Sequence, residues 1–138
     1  MFDLELFAVI QRTIGKKFTL DVDAMDDGSD RLCKLFTSPS CPFLDFDCSG
    51  HLIWLHPHPT KIYSYLQHYR KCKEFDPSTA VCAIVPATKG EFRGLLKGMT
   101  LLMTLPVGSK IYKRIHEGCE EPPPIPEPLE VWYDAPLS

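Results

Sequence analysis

The sequence predicts an α/β layered fold, a small Rossmann-like arrangement with a mostly parallel sheet. Segments with helical and strand-like patterns alternate along the chain, as they do when helices pack on a parallel sheet. A continuous apolar run over residues 79–85 is typical of a strand buried on both faces. The length of 138 residues, with 44% hydrophobic and 24% charged side chains, suits a single globular domain.

The first half of the chain is predicted to begin with a helix and a short strand. Asp3 precedes apolar residues at helical spacing, so we expect an N-capped helix that ends at Gly15. Residues 18–22 alternate between apolar and polar side chains and indicate a short strand. Residues 23–50 are rich in Asp, Ser, Pro, Gly and Cys. They predict a long ordered loop, which in a compact domain is often functional.

The second half continues the alternation. Proline cannot continue a central strand, so Pro57 ends the second strand, and Pro59 suits the first turn of the helix that follows. The predicted elements are strands over residues 51–55, 79–85, 99–105 and 109–113, and helices over residues 60–73 and 89–98.

The last residues differ in composition from the rest. Residues 122–138 hold six of the thirteen prolines, which favours extended polyproline II. We therefore expect residues 1–118 to form the domain and residues 119–138 to form an acidic proline-rich tail outside the core. Trp132 and Tyr133 in this tail either fold back onto the domain or bind a partner. We favour folding back, because an exposed tryptophan is unfavourable.

The formal net charge of −3 is unevenly distributed. Residues 1–47 carry −4, residues 48–119 carry +6 and residues 120–138 carry −5. The basic middle makes nucleic acid a candidate partner despite the acidic average, because cationic side chains that contact phosphates supply most non-specific affinity for nucleic acids.

Within the basic middle, Lys89, Arg93 and Lys97 recur every four residues. On the predicted helix they would form one stripe, which is a candidate nucleic-acid surface. The alternative is an ordinary solvated helix face.

The cysteines indicate free thiols rather than disulfides or a metal site. We find no export signal, so we expect an intracellular, reducing environment. Cys72 and Cys82 are interpreted as small buried apolar residues. One group of cysteines and histidines contains the residue types that bind zinc, namely Cys33, Cys41, Cys48, His51, His56 and His58. Its cysteines lack the close CxxC spacing that zinc sites usually show, so no metal is predicted. The mean hydropathy of −0.10 and the lack of a long uncharged apolar run argue against a membrane partner.

Polar residues follow each of the first three predicted strands. Asp21 and Asp23 follow the first strand, His56-Pro57-His58 follows the second, and Pro86 follows the third. In open α/β sheets, ligands bind at the carboxyl ends of the strands. If the sheet is parallel, these three groups converge at one edge and form the candidate site.

A series of short motifs resembles the Dam-type DNA N6-adenine methyltransferases, especially the phage type and its relatives in eukaryotic retroelement polyproteins. The resemblance covers roughly residues 2–113. The matching segments, in order, are FTLDVDA (18–24), LCKLF (32–36), WLHP (54–57), HYRKCK (68–73), DPST (76–79), VP (85–86) and LLKGM (95–99).

The resemblance implies transfer of a methyl group from S-adenosylmethionine to the N6 amine of adenine in DNA. The family motif is an Asn or Asp, two prolines and an aromatic residue, which orient the amine and stack on the flipped base. Aligned on Trp54, this chain places His56 at the amide position, keeps Pro57, and has His58 and Pro59 at the last two positions. We therefore expect a Dam-like fold that has lost methyl transfer.

The resemblance makes Asp21 the candidate acidic residue beside the cofactor S-adenosylmethionine, with Asp23 next to it. Either aspartate could instead cap a loop turn. His56 and His58 could likewise belong to an exposed turn without a catalytic role. A non-catalytic module that binds nucleic acid or protein is the alternative function, and the oligomeric state is left open.

Overall fold

The first helix is formed as its capping residues predict. In the computed structural model, which describes residues 1–137, helix α1 spans Leu4–Ile14. The side chain of Asp3 accepts a hydrogen bond from the Glu5 backbone N–H at 3.0 Å, which satisfies one of the free amides of the first turn. Gly15 ends the helix in the left-handed conformation with φ of 80°, which glycine adopts without strain.

The strands form one five-stranded sheet in the order β1-β2-β3-β5-β4. The strands are β1 (Leu20–Asp21), β2 (Leu52–Leu55), β3 (Ala80–Pro86), β4 (Thr100–Leu105) and β5 (Leu129–Asp134). The second α-helix, α2, spans Ile62–Phe75, and short 3₁₀ helices span Phe43–Asp45, Pro59–Lys61 and Glu91–Leu96. The prediction of a mixed helix and strand fold is confirmed.

The sheet is parallel in its first half and antiparallel in its second. β1, β2 and β3 pair in parallel, whereas β5 pairs antiparallel with both β3 and β4. Since β3 and β4 both oppose β5, four strands share one direction and the last strand is reversed. The prediction of a largely parallel sheet therefore holds for the strand directions but misses the two antiparallel pairings.

The expectation that residues 119–138 lie outside the core is wrong for Leu129–Asp134. These residues form β5, which lies between β3 and β4. Val131 is fully buried and pairs with Ile84 and Met103. The segment contains Val131, Trp132 and Tyr133, which are residue types that favour strands, so its own composition favours a strand despite the surrounding prolines.

Apolar side chains pack against both faces of the sheet. Successive residues of a strand point to opposite faces, so Val81 joins the cluster beneath α2 while Cys82 joins the cluster that contains Phe7 and Ile10 of α1. This two-sided burial explains why β3 has a continuously apolar sequence, and it confirms the prediction for residues 79–85.

Two predicted elements differ from the structure. The expected α-helix over 89–98 is the 3₁₀ helix Glu91–Leu96; this stretch contains Gly90, Gly94 and Gly98, and glycine disfavours α-helix. The expected strand over 109–113 is reduced to a single bridge between Tyr112 and Phe2. Across residues 1–137, the helices are all too short or too polar to cross a bilayer.

Candidate functional site

The carboxyl ends of β1, β2 and β3 meet at one edge, as the sequence predicts. Two clefts open at this edge, one lined by Asp21 and the other by Pro86. His56 and Tyr112 line both clefts and therefore lie at the boundary between them. The parallel pairing of β1 with β2, and of β2 with β3, produces this convergence.

The smaller cleft, of about 180 Å³, includes the acidic residues Asp21, Asp23 and Asp30 in its lining. The carboxylate of Asp21 is buried and accepts a hydrogen bond from the Leu32 backbone N–H at 2.8 Å. Burial raises the pKa of Asp21 to about 6, and the nearby charges of Asp30 and Asp23 act in the same direction. Asp21 is thus a desolvated carboxylate at a strand end that also fixes the loop through Leu32.

Asp23 connects the same loop to α2. Its backbone lies in the left-handed region, with φ of 67°, which is uncommon for a residue with a side chain. Its carboxylate accepts a hydrogen bond from the Tyr65 hydroxyl at 3.0 Å and lies 3.9 Å from Lys61 Nζ. Its backbone N–H donates to Thr37 Oγ1 at 2.9 Å. These contacts give Asp23 a role in holding the loop.

His56 is fixed in a small aromatic cluster. Its ring stacks on Tyr112 with an interplanar angle of 12°, and its Nε2 lies 3.1 Å from the Tyr112 hydroxyl in a hydrogen bond. Phe2 packs edge-on against the same imidazole with centroids 6.0 Å apart. Burial lowers the pKa of His56 to about 4, so the imidazole is neutral near pH 7.

The rest of the His56-Pro57-His58-Pro59 turn serves the start of the next helix. Pro57 is buried and lines the larger cleft. His58 is exposed, and its Nδ1 accepts a hydrogen bond from the Thr60 backbone N–H at 3.3 Å as the N-cap of the Pro59–Lys61 helix. The interpretation of His58 as part of an exposed turn agrees with this geometry.

The larger cleft, of about 340 Å³, contains residues that the sequence did not suggest. The proline segment Pro123–Pro126 lines it together with Pro57 and Pro86. Tyr112 reaches the cleft because Phe2 pairs with it as an isolated antiparallel bridge, and the Asp3 backbone N–H donates to the Ile111 carbonyl at 2.7 Å. These long-range contacts leave no local signal in the sequence.

The predicted cationic stripe is not formed. In a 3₁₀ helix, with three residues per turn, positions four apart point in different directions. Lys89 and Lys97 flank the 3₁₀ helix and are exposed, whereas Arg93 Nη2 forms an ion pair with Glu130 Oε1 at 2.8 Å. The prediction of one α-helical cationic stripe is therefore wrong, and Arg93, the central residue of that stripe, is paired with Glu130 of β5.

The residues considered for zinc are dispersed. His51 Nδ1 contacts Thr19 Oγ1 at 2.9 Å, His56 contacts Tyr112, and His58 caps a helix. The six cysteines are free thiols, in agreement with the prediction. Cys48, one of the residues in this group, lies close to His68 and Cys72 of α2.

The chain was also compared with known proteins. Neither a family model nor a curated protein matches the sequence.

Proposed function

We propose that the chain is a Dam-like domain that binds S-adenosylmethionine or its demethylated product at the edge of the sheet but does not transfer the methyl group. The observation that carries the proposal is the convergence of Asp21, His56 and Pro86 around two adjoining clefts at the carboxyl ends of parallel strands. Ligands of open α/β sheets bind at this position.

Asp21 supports the cofactor part of the proposal. A carboxylate at a strand end can accept hydrogen bonds from the ribose hydroxyls of a nucleoside. Asp21 lines the acidic cleft, and its backbone is held by pairing with β2 on one side and a bridge to Phe36 on the other. Asp23 contributes by holding the loop that closes this cleft, through its bond with Tyr65.

The motif geometry supports the loss of methyl transfer. At the amide position, His56 Nε2 is engaged with Tyr112 rather than available to an adenine amine. Pro59 stands at the aromatic position and starts a 3₁₀ helix, so it offers no π-face for a flipped base. Pro57 keeps the rigid turn. This supports a site that retains the backbone turn of the family motif but has replaced the residues that methyl transfer needs. The resemblance to the Dam-type methyltransferases implies adenine-containing DNA as the partner.

Calorimetry with S-adenosylhomocysteine, the demethylated product, tests cofactor binding. We expect heat of binding for the native chain and at least about tenfold weaker binding for Asp21→Asn, since a carboxylate accepts hydrogen bonds more strongly than an amide. Asp27→Asn is the matched control, because Asp27 is exposed in the same loop. No binding by the native chain at millimolar ligand would contradict the proposal.

Mass spectrometry of DNA nucleosides tests the chemistry. After incubation with S-adenosylmethionine and adenine-containing DNA, we expect no N6-methyladenine above the level found without protein. Repeated turnover would contradict the proposed loss of methyl transfer, while leaving cofactor binding intact.

A further inference from the structure

Three metal-binding side chains meet beneath α2, away from the clefts at the sheet edge. Single ligand atoms of Cys48, His68 and Cys72 all lie within 4.8 Å of one another. Cys72 Sγ is 3.8 Å from His68 Nε2. His68 and Cys72 are four residues apart on α2, so they project from the same helix face. Cys48 approaches them from the loop before β2.

The surrounding residues hold this cluster in place. The ring of Phe43 packs edge-on against His68, with centroids 4.8 Å apart at 85°. His68 Nε2 lies 2.7 Å from the Phe46 carbonyl oxygen in a hydrogen bond. Cys48 is fully buried and Cys72 is 8% exposed, so both sulfur atoms are held by packing. Packing therefore holds the two sulfur atoms and the imidazole ring close together, and only the Nε2 hydrogen bond to Phe46 has to break for a metal to bind.

We propose that Cys48, His68 and Cys72 bind a zinc ion, with a water molecule in the fourth coordination position. Two thiolates, an imidazole and a water molecule would complete the tetrahedral coordination that zinc adopts. Binding converts both thiols to thiolates and releases two protons to solvent, so the ion gains two Zn–S bonds and the site becomes neutral. His68 binds the metal through Nε2 in the tautomer that carries the ring proton on Nδ1, and its hydrogen bond to the Phe46 carbonyl is broken.

The role that follows is structural. The zinc ion would connect the loop segment 43–50 to α2. Pro42, which directly precedes this segment, lines a further cavity with Asp23 and Tyr65. A metal that closes a loop onto a helix stabilises the folded state, because the unfolded chain holds no preformed site. This inference stands independently of the proposed cofactor.

Metal content and cobalt spectroscopy test the site on the full chain under reducing conditions. We expect close to one zinc per chain after expression with zinc. We also expect cobalt to give the visible bands of tetrahedral Co²⁺ and a thiolate-to-cobalt charge-transfer band. Cys72→Ser and His68→Gln should each weaken zinc binding by at least about tenfold, because loss of a ligand is at least as damaging as loss of its supporting partner.

Cys41→Ser is the matched control, because Cys41 is exposed and lies outside the cluster. It should bind zinc as the native chain does. Circular dichroism checks that each variant folds, and the native-chain measurements do not depend on the variants. A folded, reduced native chain that binds neither zinc nor cobalt overturns the proposal, as do cluster variants that are folded and bind zinc with native affinity.

Discussion

Lys73 Nζ lies 3.0 Å from Asp134 Oδ2, and this ion pair joins the last turn of α2 to the end of β5. Both residues are buried. The same carboxylate oxygen accepts a hydrogen bond from the Tyr69 hydroxyl at 2.5 Å. Lys73 also donates to the Ala135 carbonyl oxygen at 2.6 Å. Asp134 of the acidic segment 120–138 is therefore bonded into the core rather than free in solvent.

Removing this carboxylate should destabilise the fold strongly. Asp134→Ala leaves the Lys73 ammonium buried without its partner, and breaking a buried pair in this way costs about 3–5 kcal/mol. Urea denaturation followed by circular dichroism measures the loss. Glu120→Ala is the control, because Glu120 is exposed, and it should change the free energy of unfolding by less than about 0.5 kcal/mol.

Truncation after Pro128 should abolish cooperative folding. The deletion removes β5, so β3 and β4 lose the strand between them and both sets of antiparallel hydrogen bonds. The amide proton NMR spectrum of the truncated chain should be poorly dispersed. A dispersed spectrum with a sharp thermal transition would show that residues 1–128 fold alone and that β5 is dispensable.

Replacement of His56 should reduce sensitivity to acid. Its pKa is about 4 in the folded chain and near 6.5 when exposed, so the unfolded state binds the extra proton between these values. Stability contributed by the neutral imidazole is thus present above pH 6.5 and lost as the pH falls toward 4. His56→Asn should remove roughly 2 kcal/mol of that pH dependence, after allowance for partial exposure. Thermal unfolding at pH 7 and pH 4.5 measures it; an unchanged pH dependence would contradict the assignment.

Asp21→Asn should stabilise the chain at neutral pH. The pKa of Asp21 is raised to about 6, so ionisation of this buried carboxylate destabilises the folded state. The destabilisation is complete above pH 6 and becomes smaller as the pH falls toward 3.8. The amide keeps an oxygen for the Leu32 N–H and carries no charge. We expect a gain of roughly 2–3 kcal/mol at pH 7.5 and about half of that at pH 5. A loss of stability at both pH values would mean that the carboxylate has an ionic partner that favours its charge.

Much of the sheet could be predicted from the sequence because its central strands have strong local patterns. The continuous apolar run of β3 and the helical spacing of α2 place both elements within two residues of their observed bounds. β5 was not predicted because six prolines dominate the composition of residues 122–138, although Leu129–Asp134 contains the strand-favouring residues Val131, Trp132 and Tyr133. The pairing of β5 between β3 and β4 depends on contacts distant in sequence, such as Lys73 with Asp134.

The candidate site could be predicted in part for the same reason. Asp21 and His56 follow strands, and parallel pairing brings them to one edge. Tyr112 lies in an irregular segment held by Phe2, so only the folded chain brings it to His56. The cluster beneath α2 did leave a signal, since His68 and Cys72 are four residues apart on a predicted helix, but its third member is distant in sequence.

An NMR titration of the isotope-labelled chain with S-adenosylhomocysteine tests the proposed function most directly, because it reports both binding and its location. We expect the amide shifts to change most around Asp21, His56 and Tyr112, which line the adjoining clefts. Residues at the far end of the sheet, such as Ala80 at the start of β3, should change least. Unchanged shifts at millimolar ligand, or changes concentrated away from the carboxyl edge of the sheet, would contradict it.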